Sequence, residues 1–180
     1  MNRDMPSEPT VDEVTAILSR TPGALRALLE GLPEAWLAAS EGPGTFTPRD
    51  VVGHLIHGEK TDWVPRLLLI LQSGDERPFE PFDRAGFQDA IVGRPVESLL
   101  DEFEGLRREN LAVLEGRRLT RDHLSLRGRH PALGPVTLGQ LLATWAVHDL
   151  NHIGQIVRVM SGRYEAEVGP WKAYLGILNR

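Results

Sequence analysis

Cysteine is absent from the 180 residues of this chain. That removes disulfides, thiolate metal ligands and a cysteine nucleophile together, and it fits a reducing compartment. A basic excess is missing too. Twenty Lys and Arg stand against 25 Asp and Glu, for a net charge of −5 and a pI near 5.7, so there is no global footprint for nucleic acid or anionic lipid. The longest greasy run, Leu67 to Leu71, is far too short to cross a bilayer. Met1 to Thr10 is polar and proline-bearing, with no apolar signal core. No Gly-x-Ser-x-Gly elbow occurs, and no period-2 alternation bounded by hairpin turns competes for a strand. These absences together lead us to expect a cytoplasmic protein that binds neither nucleic acid nor membrane.

Hydrophobic residues make up 41% and charged residues 25%, as in ordinary globular proteins. The length suits one domain, residues 11–180, behind a flexible N-terminus of residues 1–10. Val11, Val14, Ile17 and Leu18, then Leu25, Leu28 and Leu29, recur at helical spacing. Thr21-Pro22 between them reads as a cap followed by proline in the first turn, hence a break. Gly31 to Pro48 is a Gly- and Pro-bearing connector, with Trp36 and Phe46 to pack it down. Thr47-Pro48-Arg49-Asp50 reads as a helix start. The helix it opens should run to about Gln72, bent or interrupted at Pro65.

Ser73 to Pro95 carries three prolines and the aromatics Phe79, Phe82 and Phe87. A loop that long is usually functional, and we expect it over the mouth of a cavity. Val96 to Leu114 is an amphipathic helix. Its charges (Glu97, Asp101, Glu102, Arg107, Arg108 and Glu109) read as a solvated face. Gly116 to Pro135 is a polar connector. Thr137 caps a last long helix to about Ser161, and Pro170-Trp171 opens a short C-terminal helix. Four long helices make an all-α bundle, in which sites are built from facing side chains.

The last long helix is the odd one. Its sequence, Thr144-Trp-Ala-Val-His148-Asp-Leu-Asn-His152-Ile-Gly-Gln155, sets His148 and His152 one turn apart on one face, so both imidazoles can reach a single ion. Thr144, Asn151 and Gln155 project to that side. Ala146, Leu150, Ile153, Val157 and Met160 lie opposite. Between Val136 and Gly162 the only charges are Asp149 and Arg158, too few for a solvated face of that length. The polar stripe is therefore expected to be buried or to line a cavity, where a metal site would sit.

Two histidines need further ligands. His54 is the best third candidate, with Gly58 one turn on leaving room beside its ring. His57 is its rival and reads more simply as a partly exposed residue. His123 and His130 lie in a connector, where exposure is the default. Asp149 points about 100° away from His148. Glu59 and Asp62 can orient an imidazole through its other nitrogen, although ordinary surface acids are the plainer reading. Trp63 and Trp145 read as core or cavity wall.

Two stretches together, Thr47-Pro-Arg-Asp-Val-Val-Gly-His54-Leu-Ile-His57-Gly-Glu59 and Thr144 to Gln155, resemble the DinB-like family, whose members include YfiT-like metal-dependent hydrolases. The likeness extends from about Val11 to Trp171. It implies a four-helix bundle with a long crossover between helices 2 and 3. It also implies a divalent ion, zinc or nickel, held by His54, His148 and His152, since the family takes one histidine from its second helix and an i, i+4 pair from its last. Three neutral nitrogens leave positions open, as in catalytic sites. Relatives include S-transferases that use low-molecular-weight thiols, so the resemblance implies a small-molecule substrate; helix geometry lets Thr144, Asn151 and Gln155 help shape its pocket. Homodimers are common among them. A Glu in the ligand set, as in mycothiol-dependent isomerases, has no counterpart here.

Three functional readings follow. The chain is a metal-dependent S-transferase or hydrolase, or it is a non-catalytic metal- or ligand-binding stress-response protein, or the histidines merely satisfy one another in a polar core.

Overall fold

The computed structural model describes residues 10–179. The N-terminus expected to be flexible lies outside them except for Thr10, which caps the first helix through a reciprocal pair of bonds with Glu13. Four long helical stretches form the bundle. The first is α1 (Val11–Leu18) plus α2 (Thr21–Leu29), and a short α3 (Glu34–Leu37) follows in the connector. The second is α4 (Pro48–Thr61) plus α5 (Trp63–Ser73). After α6 (Gln88–Ile91) come the third, α7 (Val96–Gly116), and a single turn, α8 (Arg121–Leu124). The fourth is α9 (Leu138–Gly162), followed by two 3-10 turns, Gly169–Tyr174 and Gly176–Leu178.

The helix boundaries are set by local chemistry. Thr47 with Asp50, and Thr137 with Gln140, close capping boxes at the starts of α4 and α9. The second helix breaks at Asp62, three residues before Pro65, because Pro65 has no N–H to offer the carbonyl of Thr61. The first breaks where expected, but Thr21 does not cap it. Arg20 occupies the cap position without a side-chain bond, and the Thr21 hydroxyl turns inward instead.

The core is two apolar clusters stacked along the bundle. One gathers Leu25, Leu29, Val52, Leu55, Leu99, Phe103 and Ile156. The other gathers Val14, Leu18, Trp63, Leu67, Leu114, Leu142 and Trp145. The first and fourth helices pass from the second cluster to the first as the chain proceeds, and the second and third helices pass the other way. Helices 2 and 3 therefore run parallel, and residues 74–95 must travel back along the bundle to join them. That return segment is not structureless. It holds α6, buries Phe79 and Phe87, and places Phe82 against the His54 ring at 5.5 Å.

Two expectations fail here. A hairpin, β1 (Arg127–His130) against β2 (Gly134–Thr137), pairs antiparallel from Arg127↔Thr137 to His130↔Gly134, and Phe79 N–H donates to Arg129 O at 2.8 Å beside it. Its strands carry no alternating apolar signal because the buried position in β1 is a glycine. A Cβ on Gly128 would stand 2.6 Å from Phe79 and 2.7 Å from Ile70. Arg107 is the second failure. It does not join the solvated face of α7 but is 1% exposed, in the polar layer between the two clusters. Among the described residues, no helix is long and apolar enough to cross a membrane.

Candidate metal centre

Polar side chains inside the bundle fall into two groups. The first is an ionic node. Arg107 donates to both Glu59 carboxylate oxygens, at 3.1 and 2.8 Å, and to both of Asp149, at 2.5 and 3.1 Å; it also reaches Leu18 O at 2.8 Å. Trp145 Nε1 and Asn110 Nδ2 donate to Glu59, and the Thr21 hydroxyl donates to Asp149 at 2.6 Å. All four long helices contribute. Despite its burial, Arg107 has its pKa raised, because the two carboxylates outweigh the desolvation that would lower it. Glu59 is thus neither a surface acid nor a partner of a histidine.

The second group is the histidines. His54 from α4 and His148 and His152 from α9 converge so that their ligand nitrogens all lie within 4.8 Å of one another. His148 Nε2 stands 3.2 Å from Nε2 of His54 and 3.2 Å from Nε2 of His152. His54 and His152 are 4% and 8% exposed. Phe46, Phe82 and Phe87 pack around the His54 ring, and the Trp63 ring meets His148 edge-on at 5.1 Å. Gly58 does open space beside the site, but the Trp63 indole takes it: a Cβ there would be 3.2 Å from Trp63 Nε1.

Protonation decides what such a cluster can do. His152 Nδ1 donates to Gln155 Oε1 at 2.9 Å, which leaves its Nε2 with a lone pair facing the other rings. Burial lowers the pKa of His148 to about 3 and of His54 to about 4, and the neighbouring histidines and Arg84 push the same way. Burial lowers that of His152 too, against the bond to Gln155. The rings are therefore neutral at physiological pH, the form that binds metals.

Mutual hydrogen bonding does not account for the cluster. A single proton on His148 Nε2 can point at only one of its two neighbours and leaves the other contact without a hydrogen bond. It also leaves the buried Nδ1 of His148 without a donor, and that atom already lacks a partner. The Nδ1 of His54 is in the same state. The carbonyl of Arg84 is near enough to favour a charged His54, but no bond of good geometry reaches that atom. A divalent ion fits instead, since two nitrogens held at 2.0–2.1 Å on tetrahedral axes stand about 3.3 Å apart.

The cluster opens on a cavity of about 590 Å³. Asn151 and Gln155 line it, as do Asp62, Arg66, Phe82, Arg84, His130 and Arg158. Thr144 is exposed one turn before His148. Its hydroxyl donates to Gln140 O at 2.7 Å, and it borders a shallower recess shared with Val147, His148 and Asn151. The return segment reaches the cavity through Phe82 and Arg84. His57 is partly buried against Phe82, outside the three-histidine group, as expected.

Asp62 and His130 were not legible as cavity residues. Asp62 is 7% exposed and pairs with Arg66 at 2.6 Å; burial nevertheless raises its pKa, Arg66 pulling the other way. It bonds to none of the three histidines. His130 is half-buried, with Nδ1 accepting from the Ala132 and Leu133 N–H groups of the hairpin turn. His123 closes the turn of α8, its Nδ1 accepting from Thr120 N–H. One signal was available for the node: Arg107, Glu59 and Asp149 each lie on the apolar stripe of their own helix, four residues after Phe103, Leu55 and Trp145.

The chain belongs to the DinB superfamily, whose family model matches residues 17–156, a span that contains all three histidines. Among solved structures it is similar to YfiT from Bacillus subtilis, described as a probable metal-dependent hydrolase with an unusual four-helix bundle topology. The two are 24% identical with a TM-score of 0.73, over 91% of this chain and 93% of that one. At that identity the likeness establishes the fold. No curated protein matches the chain.

Proposed function

We propose that this protein is a metal-dependent enzyme acting on a small molecule, either a hydrolase or a thiol S-transferase, with His54, His148 and His152 as metal ligands. One observation carries the reading: three neutral imidazoles converge on an open cavity, with His148 Nε2 3.2 Å from the Nε2 atoms of both His54 and His152. Nitrogen ligands suit zinc and nickel alike. When bound, such an ion supplies Lewis acidity and lowers the pKa of a coordinated water or thiol. Three neutral histidine ligands would leave the double charge of such an ion uncompensated, so the site would suit an anionic substrate group.

The chain's own residues do the rest. Gln155 holds His152 in the tautomer that presents Nε2. Asp62 lines the same cavity, and its upward pKa shift moves the carboxylate towards the range useful for accepting a substrate proton. Phe46, Phe82 and Trp63 exclude water from one side. Asn151 at the cavity wall and Thr144 at the neighbouring recess would bond the substrate. Val147 and Leu150, 63% and 52% exposed on the outer face of α9, support a homodimer joined there.

The test is elemental analysis of untagged protein, followed by a screen of low-molecular-weight thiols with electrophilic acceptors and of hydrolysable esters and amides. Wild type and His148→Ala are run in parallel. One zinc or nickel per chain, with turnover lost in the variant, is the expected result. Metal without turnover would leave a binding protein. A wild type that takes up neither ion after reconstitution would sink the reading.

A further inference from the structure

The charges around the cavity do not cancel. Its lining holds two acids, Glu41 and Asp62, and three arginines, Arg66, Arg84 and Arg158. Each acid is already committed: Glu41 to Arg158 at 3.1 Å and Asp62 to Arg66 at 2.6 Å. Arg84 remains, and among the described residues its guanidinium has no ion-pair or hydrogen-bond partner. In a protein of net charge −5, this cavity is locally positive before any ion binds.

Arg84 is also held in place. Phe82, two residues before it, packs on both His54 and His57, at 5.5 and 5.1 Å. Gly86, two residues after it, lies so close to the His57 ring that a Cβ would stand 2.8 Å away. Asp83 folds the turn between them by accepting the Ala85 N–H at 3.0 Å, and Phe87 is buried against Phe46. Arg84 is exposed, but its backbone is pinned on both sides at an open cavity with no acid to meet its guanidinium, which leaves a fork for a carboxylate. His130 adds a neutral donor: the turn occupies its Nδ1, so the proton sits on Nε2.

We propose that the cavity takes a small molecule bearing a carboxylate, and that Arg84 binds that group while the rest of the molecule faces His54, His148 and His152. This rests on the metal-dependent reading for the chemistry, but not for the anion contact. The return segment between helices 2 and 3 thereby supplies specificity as well as cover.

The test uses succinate and its neutral counterpart succinamide as probes, titrated calorimetrically into metal-free and zinc-loaded full-length protein. Arg84→Gln is compared with Arg108→Gln, which makes the same charge change on the exposed face of α7. The expected result is saturable succinate binding to wild type, weakened at least tenfold in Arg84→Gln and less than twofold in Arg108→Gln. Succinamide should bind far more weakly, and zinc content should be unchanged in Arg84→Gln. Equal weakening by the two variants, or wild type that prefers succinamide or binds neither probe, overturns the proposal. Failure to take up zinc strikes the metal reading alone, because the metal-free titration still reports on Arg84.

Discussion

The histidine cluster and the arginine node share helices α4 and α9, yet they are opposite solutions to burying polar groups. Arg107, Glu59 and Asp149 are almost wholly shielded, and their charges are matched by hydrogen bonds from every side. His54 is buried and His148 half-buried, each with an orphaned Nδ1, and both face a cavity. A node that satisfies itself has nothing left to offer a ligand. A cluster whose Nε2 atoms are aimed at one point has lone pairs to offer, and a bound ion would use them. The same rigid layer serves both: by crossing all four helices, the node fixes the register of α4 against α9 and so the convergence of the three rings. Loss of structure should follow damage to the first, and loss of binding should follow damage to the second.

The largest effect should come from Arg107→Met, which strands two buried carboxylates. Removing one partner of a buried ion pair costs about 3–5 kcal/mol, so urea unfolding should show a loss of that order or no folded protein at all. His148→Ala should break the other half of the contrast. Its metal-free stability should stay within about 1 kcal/mol of wild type. The extra stability that zinc confers on wild type, about 2.7 kcal/mol at a hundredfold excess over Kd, should disappear. If His148→Ala destabilised the metal-free protein as much as Arg107→Met, the two regions would not differ as argued.

Acid should separate them next. The three histidines have folded pKa values below the ordinary 6.5, with His54 and His148 at about 4 and about 3. The unfolded chain therefore binds more protons between those limits, and the stability of metal-free protein is present above pH 6.5 and lost as pH falls towards 4 and then 3. Thermal melts of metal-free wild type should show a Tm that declines over this window. In a His54→Ala, His148→Ala, His152→Ala triple variant the decline between pH 6.5 and 5 should be visibly shallower. A decline of equal steepness in both would place the acid sensitivity outside the three histidines.

The capping boxes and the i, i+4 histidine pair announced themselves in the sequence because both are local: Thr47 reaches Asp50, and His148 reaches His152. The node did not, since the partners of Arg107 are 42 and 48 residues away and its neighbours Arg108 and Glu109 are exposed. The arginine was read with them, although its spacing from Phe103 placed it on the buried stripe. The hairpin was silent for the opposite reason, because Gly128 is buried by having no side chain. Asp62, Arg84 and His130 reach the cavity from a helix break, a return segment and the end of a four-residue strand, where no sustained periodicity says which way a side chain points.

The smallest effect is also the finest probe of the comparison. Thr21→Val keeps the shape of the side chain and removes the one hydroxyl that donates to Asp149. Arg107 stays in place, so no charge is stranded, and the loss is that of one hydrogen bond to a buried ion, about 1.5 kcal/mol. Thr144→Val makes the same chemical change on α9, where the hydroxyl only returns to Gln140 O on an exposed face. There the cost should stay within about 0.5 kcal/mol. Helix propensity cannot separate the pair, because Thr and Val rank together. Equal costs in urea unfolding would mean that Asp149 does not depend on its contact to Thr21 of the first helix, and that Arg107 alone satisfies it.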